Sequence, residues 1–330
     1  MTPTKTPTNF FSRIGRVEIF DSRIELPVNG GQYEQENLRV FEDLDFKFKI
    51  TKVSDMCTTK CYGALSILGL NREDIIAYAT TKPVGIEAGL RRRVRVYASY
   101  EDFGDNLIFD GDIVKAQPSI PPENWLNISA FVGNYRHYQL YSSSINEELS
   151  VEQLMLNSAS VLGIPTVKFI DGKNEFVQAE RKRKLKGFDC SGTKEDLLQM
   201  LNRVSDFVVF EDNGMLKCML RYGGIRRSRT TAALISESSG MIGIPEVLVG
   251  SADGRAKKSA KDDSPSSLRL KVKCFINPSI QLWDLVYLQS VYLPGADGYY
   301  TVNEIDYDGH LRGQNWYMTM TLTATNVGRT

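Results

Sequence analysis

The residues of this chain whose types could carry catalysis or hold a metal are two histidines, five cysteines and several close pairs of carboxylates. Acyl transfer by a Ser or Cys nucleophile needs a histidine oriented by an acid and within reach of the nucleophile. His137 and His310 lie in different parts of the chain with no such neighbours, so both are expected as surface or turn residues. Cys57 and Cys61 have a spacing zinc tolerates, but no second Cys or His pair follows at the usual distance. The odd cysteine count, spread over Cys57, Cys61, Cys190, Cys218 and Cys274, argues for reduced, packed thiols and against a disulfide framework. Asp110 with Asp112, Asp262 with Asp263 and Asp306 with Asp308 would need to face one another across a cleft to act on a glycoside, and adjacency in sequence does not supply that. Gly223-Gly224, Gly240 and Gly243 lack the Lys-Ser or Lys-Thr that completes a phosphate loop, and read as turns. No residue pattern calls for a cofactor or a metal, and the expectation is a protein that is not an enzyme.

The basic runs Arg91–Arg93 and Arg181–Lys184 are short and carry no interleaved aromatics to stack bases, so they read as solvated strand or turn, or as rim charges toward acidic partner proteins. Lys plus Arg and Asp plus Glu number 40 each, a formal charge of zero, so no bulk field draws the chain to nucleic acid or anionic lipid. No apolar run reaches the roughly eighteen residues of a membrane-spanning helix. The opening Met1-Thr-Pro-Thr-Lys-Thr-Pro-Thr8 lacks the apolar stretch of a secretory signal, and the expectation is a chain made in the cytoplasm. With 330 residues and 42% hydrophobic content, two or three packed units are expected.

Periodicity places the elements that would position these residues. Residues 1–15 are polar and Pro- and Thr-rich and read as flexible. Over 16–140 the pattern is mainly β. Val17 and Ile19 precede a turn at Pro27–Gly31; Leu44, Phe46, Phe48 and Ile50 alternate with Asp45, Lys47 and Lys49; Val94, Val96 and Ala98 alternate again; 106–114 reads as two strands pivoting on Asp110-Gly111; and 126–133 closes the set. A short helix is predicted from Asn71 to about Thr80, with Asn71 as its cap. Over 141–225 the period changes. Ser150-Val-Glu-Gln153 is a capping box before Leu154, Met155, Ala159 and Leu162, stopped by Gly163 and Pro165. A second helix opens at Thr193-Lys-Glu-Asp196, and Phe207–Phe210 and Met215–Leu220 form a hairpin on Asp212-Asn213-Gly214, a small α+β unit. From 226 to 330 β signal returns after a polar loop at 251–267: Leu270, Val272 and Cys274, then Asp284–Ser290, Tyr299–Tyr307, a tight turn at Asp308-Gly-His310, and Trp316 to Ala324. The expected fold is mainly β, a compact barrel or sandwich and a second antiparallel barrel-like unit with a small α+β insertion between them.

The C-terminal third also carries a combination of motifs in order: Gly240-Met-Ile-Gly-Ile-Pro-Glu-Val247, then Leu270-Lys-Val-Lys-Cys-Phe-Ile-Asn-Pro278, then Trp283-Asp-Leu-Val-Tyr-Leu-Gln-Ser290, then Gly298-Tyr-Tyr-Thr-Val302. This series resembles the baseplate hub proteins of contractile-tailed phages, the late-control D-type tail hub family. The resemblance implies two barrels of tail-tube type per subunit, a homotrimer, and a symmetry adaptor between a sixfold tail tube and a threefold central spike. The implied partners are the tail tube protein, the central spike protein, the tape measure protein and other baseplate proteins. DNA would pass only in transit through an axial channel, with no membrane insertion, in a virion baseplate assembled in the host cytoplasm. On this resemblance Ile242, Gly243, Ile244, Pro245 and Glu246, with Asn277, Pro278, Trp283 and Asp284, are the candidate assembly residues, and the 251–267 loop is expected beside a neighbour or the channel. Tyrosines at 97, 100, 135, 138, 141, 287, 292, 299 and 300 suit sheet packing or large interfaces. The alternatives are a hexameric distal-tail or tube-initiator protein of a non-contractile tail, a baseplate-associated cell-wall hydrolase, and a DNA-binding protein.

Overall fold

The computed structural model describes residues 12–23, 35–42, 44–54, 59–79, 90–119, 124–133, 140–221, 232–248 and 268–324. The Pro27–Gly31 turn, Cys57, His137, Tyr135, Tyr138, Gly223-Gly224, the carboxylates at 262 and 263 and the 251–267 loop lie outside them, as does almost all of the 1–15 segment.

Alternating strands build the first β region: β1 (Arg13–Arg23), β2 (Gln35–Phe41), β3 (Phe46–Ser54), β4 (Thr59–Leu68), β5 (Leu90–Tyr100), β6 (Leu107–Pro118) and β7 (Trp125–Phe131). Phe46, Phe48 and Ile50 are buried on one face of β3 while Lys47 and Lys49 face water, as their period of two requires. Helix α1 (Arg72–Tyr78) begins where Asn71 Oδ1 accepts the Asp74 N–H at 2.7 Å. The predicted pivot at Asp110-Gly111 is instead the middle of β6. Asp110 is buried and accepts Arg93 at 2.6 Å and Arg95 at 3.1 Å from β5, and these two cations satisfy in an extended strand a carboxylate that would otherwise favour a turn.

A second β region repeats the first in its strand order. β13 (Ala233–Ile235), β14 (Met241–Leu248), β15 (Arg269–Phe275), β16 (Leu285–Leu288), β17 (Gly298–His310) and β18 (Trp316–Ala324) are ordered 14-15-18-17-16-13, and the first region runs 3-4-7-6-5-1 before adding β2. One difference is that β13 lies parallel to β16 whereas β1 is antiparallel to β5. The tight turn expected at Asp308–His310 is the end of β17, extended because it pairs on both sides: Gly309 opposes Trp316 of β18 and Phe48 of β3.

That double pairing changes the expected architecture. The resemblance implies two β-barrels in the chain. Among the described residues no sheet closes on itself, and β17 joins β3 so that both regions form one thirteen-stranded sheet. The join also merges the interiors: Val17, Phe46, Ile128, Val272, Trp316 and Leu322 belong to one continuous apolar core.

Between the regions, β8 (Tyr141–Ser150) pairs with β10 (Lys184–Gly192), and β9 (Thr166–Phe169), β11 (Phe207–Asp212) and β12 (Met215–Leu220) form a three-stranded sheet. Helices α2 (Val151–Val161) and α4 (Lys194–Val204) both start on capping boxes, Ser150 with Gln153 and Thr193 with Asp196. Helix α3 (Glu175–Lys182), capped by Asn174, has no counterpart in the sequence reading. Asn213 and Gly214 both take positive φ, the geometry of a two-residue hairpin turn between β11 and β12. The hairpin is buried on both faces. Phe207, Val209 and Leu216 pack among the helices, while Val208, Phe210 and Met219 enter the core of the large sheet.

Candidate assembly surfaces

The buried hairpin ends in charge. Lys52, next in phase after Ile50 on β3, donates to Asp212 at 2.6 Å, and Lys217 of β12 donates to the other Asp212 oxygen at 2.6 Å and to Gln281 at 2.8 Å. Lys52, Asp212 and Lys217 are 4%, 1% and 1% exposed, so the cluster is a buried lock among the first β region, the insertion and the turn before β16. Burial alone would raise the Asp212 carboxyl, but the two ammonium groups hold it well below the usual carboxylate range. Burial pushes the neighbouring Cys61 thiol up to about 12 and also raises Tyr307. A thiol buried in this way and held protonated suits packing. Among the described residues no three His, Cys, Asp or Glu side chains gather as a metal site, and no helix is long and apolar enough to cross a membrane.

Five cations of the two basic runs are paired within the chain. Arg93 is buried against Asp110, Arg92 bonds Asp21, Arg181 bonds Glu152, Arg183 bonds Glu180 at 2.8 Å and Lys184 meets Glu148 at 3.0 Å. The expectation of solvated rim charges fails for Arg93 in particular, because β5 places it opposite two aspartates of β6. His310 bonds Asp45 at 2.9 Å, which also accepts the Arg312 N–H, and this closes the turn after β17 over the start of β3.

The candidate assembly residues fall into two groups that the fold treats differently. Ile242, Gly243, Ile244, Pro245 and Glu246 lie on β14, the terminal strand of the large sheet, with Ile244 61% and nearby Val247 45% exposed. Its pairing with β15 slips between Ile242 and Glu246, where Gly243 takes a φ of 78°, so the strand passes through Pro245 on a bulge instead of ending there. Pro278 and Trp283 are buried in the second region, and Asn277 and Asp284 are half-buried beside them. Trp283 is 5% exposed at a φ of 68°, its N–H donates to Val302, and Asp284 accepts the Gln281 N–H at 2.7 Å. Asn277 caps its own turn by accepting from Ser279.

Sequence reading missed the opposite end of the sheet, β2, where Leu38 and Val40 are 44% and 46% exposed. At the tip after β16 it flagged Tyr292, 70% exposed, but not its neighbour Val291, 78% exposed. That tip is held rigid: Glu237 accepts from the Ser290 hydroxyl at 2.9 Å and the Val291 N–H at 3.0 Å, and Asp297 accepts the Ser290 N–H at 2.8 Å. Desolvation opposes ionisation of Glu237, yet these hydrogen bonds hold its carboxyl below the usual range. Of the flagged tyrosines, Tyr100 and Tyr300 are core residues and Tyr292 is open to solvent.

No curated protein matches the chain by sequence. The fold is similar to the tail protein from Neisseria meningitidis MC58, with a TM-score of 0.60, 11% identity, and 96% of this chain and 98% of that one covered. It is similar to the 43 kDa tail protein of prophage MuSo2 from Shewanella oneidensis, with a TM-score of 0.55, 13% identity and coverage of 94% and 98%. It is also similar to the E. coli c3393 protein, a type VI secretion component described as resembling T4 tail proteins gp27 and gp5, with a TM-score of 0.50, 10% identity and coverage of 84% and 73%. At such identities these likenesses are of fold. The Baseplate hub gp41 family model matches residues 24–248, more than half of the sequence, so the chain belongs to that family and is a structural baseplate hub protein of the phage tail.

Proposed function

We propose that this hub is a non-enzymatic homotrimer that adapts a sixfold tail tube to a threefold central spike in a contractile tail, and that it lines part of the channel through which the tape measure protein and DNA pass. The observation that carries the reading is the repeated strand order, 3-4-7-6-5-1 and 14-15-18-17-16-13, within one chain. Three chains with two such units each supply six similar units around an axis, which meets a sixfold partner on one side while the ring keeps threefold symmetry on the other. The units correspond to 16–140 and 226–330, with 141–225 inserted between them. Similarity to a type VI secretion component that resembles gp27 and gp5 is consistent with a spike partner. The candidate residues on β14 are placed by this reading at a contact between subunits, and buried Pro278 and Trp283 support the second unit from inside.

Solution mass of the purified full-length chain tests the proposal. Three chains per particle, independent of concentration over a wide range, is the expected result. Six chains would favour the distal-tail reading, and clearing of cell-wall substrate in a zymogram would favour a hydrolase.

A further inference from the structure

The repeat can be followed residue by residue through the strand pairings. In the second region β16 accompanies β17 up to Thr301, and the β17–β18 ladder then slips between Val302 and Glu304. In the first, β5 accompanies β6 up to Asp112, and the β6–β7 ladder slips between Ile113 and Lys115. Thr301 therefore matches Asp112, Glu304 matches Lys115, and Tyr307 matches Pro118. Crossing the sheet the other way, Val302 pairs Leu322, Leu322 pairs Leu270 and Leu270 pairs Val247. The parallel walk takes Ile113 to Ala130, Ala130 to Gly63 and Gly63 to Ile50, so Val247 matches Ile50.

Tyr307 and Ile50 are direct partners across the β17–β3 joint, where they are 4% and 1% exposed. Their counterparts Pro118 and Val247 are both exposed, Val247 at 45%, because among the described residues no strand covers the tail of β6 on its β5 side or the outer edge of β14. Backbone direction agrees. The Ser119 N–H donates to Trp125, so by alternation Pro118 turns its backbone to the open side. The Phe275 N–H donates to Gly240, so Lys271 and its partner Glu246 face one another and Val247 turns outward.

We infer that the tail of β6 in one copy pairs antiparallel with β14 of the next copy, repeating between chains the joint that β17 and β3 make within one. The inference rests on the trimeric reading and names its contact. Pro118 then opposes Val247 of the next copy, with the Val247 N–H donating to the Pro118 carbonyl. Gln117 opposes Leu248 as Asp306 opposes Thr51. Pro118 offers no N–H, which leaves this edge a poor template for unrelated strands. The contact joins two different surfaces, so copies run head to tail and close into a ring.

Gln117 and Leu248 would form a non-hydrogen-bonded pair with Cα atoms about 4.5 Å apart, a separation a disulfide spans. The full-length Gln117→Cys, Leu248→Cys double variant, oxidised and run without reductant, is expected to give covalent dimers and trimers, with neither single variant nor wild type doing so. Val247→Glu is expected to lower the fraction of trimer at least tenfold while the circular dichroism of the chain is unchanged. Particles of three chains that do not cross-link at this pair would overturn the β6–β14 joint and leave the ring standing. Chains that remain single would overturn both.

Discussion

Lys52 follows Phe46, Phe48 and Ile50 on one face of β3, and phase alone puts its amine inside the protein. A buried ammonium persists only beside a partner, and Asp212, shared with Lys217, supplies it. Replacing Asp212 by Asn should leave two buried cations uncompensated and lower unfolding free energy by roughly 3–5 kcal/mol, measured by chemical denaturation. Because the folded chain keeps Asp212 ionised below its usual value, the unfolded state binds more protons once pH falls below about 4. The contribution is complete above about pH 5 and drains away as pH falls further. The stability difference between wild type and Asp212→Asn should therefore narrow steadily from about pH 5 to pH 2, and a constant difference would rule the charge out as its source. The sequence reading stopped at Ile50 and did not name Lys52, although its phase with three core residues was the signal that could have found it. Asp212 was read as part of the hairpin turn, and only the docking of that turn onto β3 reveals its second role.

Elements were most legible where local signals agree with tertiary context. The capping boxes at Ser150 and Thr193 and the Asn213-Gly214 turn form as their residues dictate. Local signals misled where long-range pairing decides. Asp110-Gly111 carries a turn signal, and β5 overrides it by placing Arg93 and Arg95 against the aspartate. Asp308-Gly-His310 carries another, overridden because Gly309 lets β17 pass against the Phe48 ring, which an added Cβ would meet at 2.2 Å. Gly309→Val should overpack this joint and cost about 1–3 kcal/mol, read as a lower melting temperature than that of Gly295→Val, an exposed position where an added Cβ meets nothing within 4 Å. Equal melting of the two variants would mean that the β17–β3 joint tolerates bulk.

Across the whole molecule, the sequence showed that two β-rich stretches flank an α+β stretch, since period two and period 3.6 differ along the chain. It did not show that the two stretches share one sheet and one core, because pairing between Glu304–His310 and Lys47–Val53 leaves no local mark in either segment. Nor did it show which of the candidate assembly residues are surface: Trp283 and Ile244 carry the same hydrophobic signal, and only packing separates a 5% from a 61% exposed side chain. In the proposed hub one chain carries two matching β units and three chains close them into a ring. Averaged electron micrographs of the purified protein viewed down its axis show whether they do. Six similar lobes around a central hole with threefold symmetry are predicted; a particle with one lobe per chain, or with no ring, would contradict this arrangement.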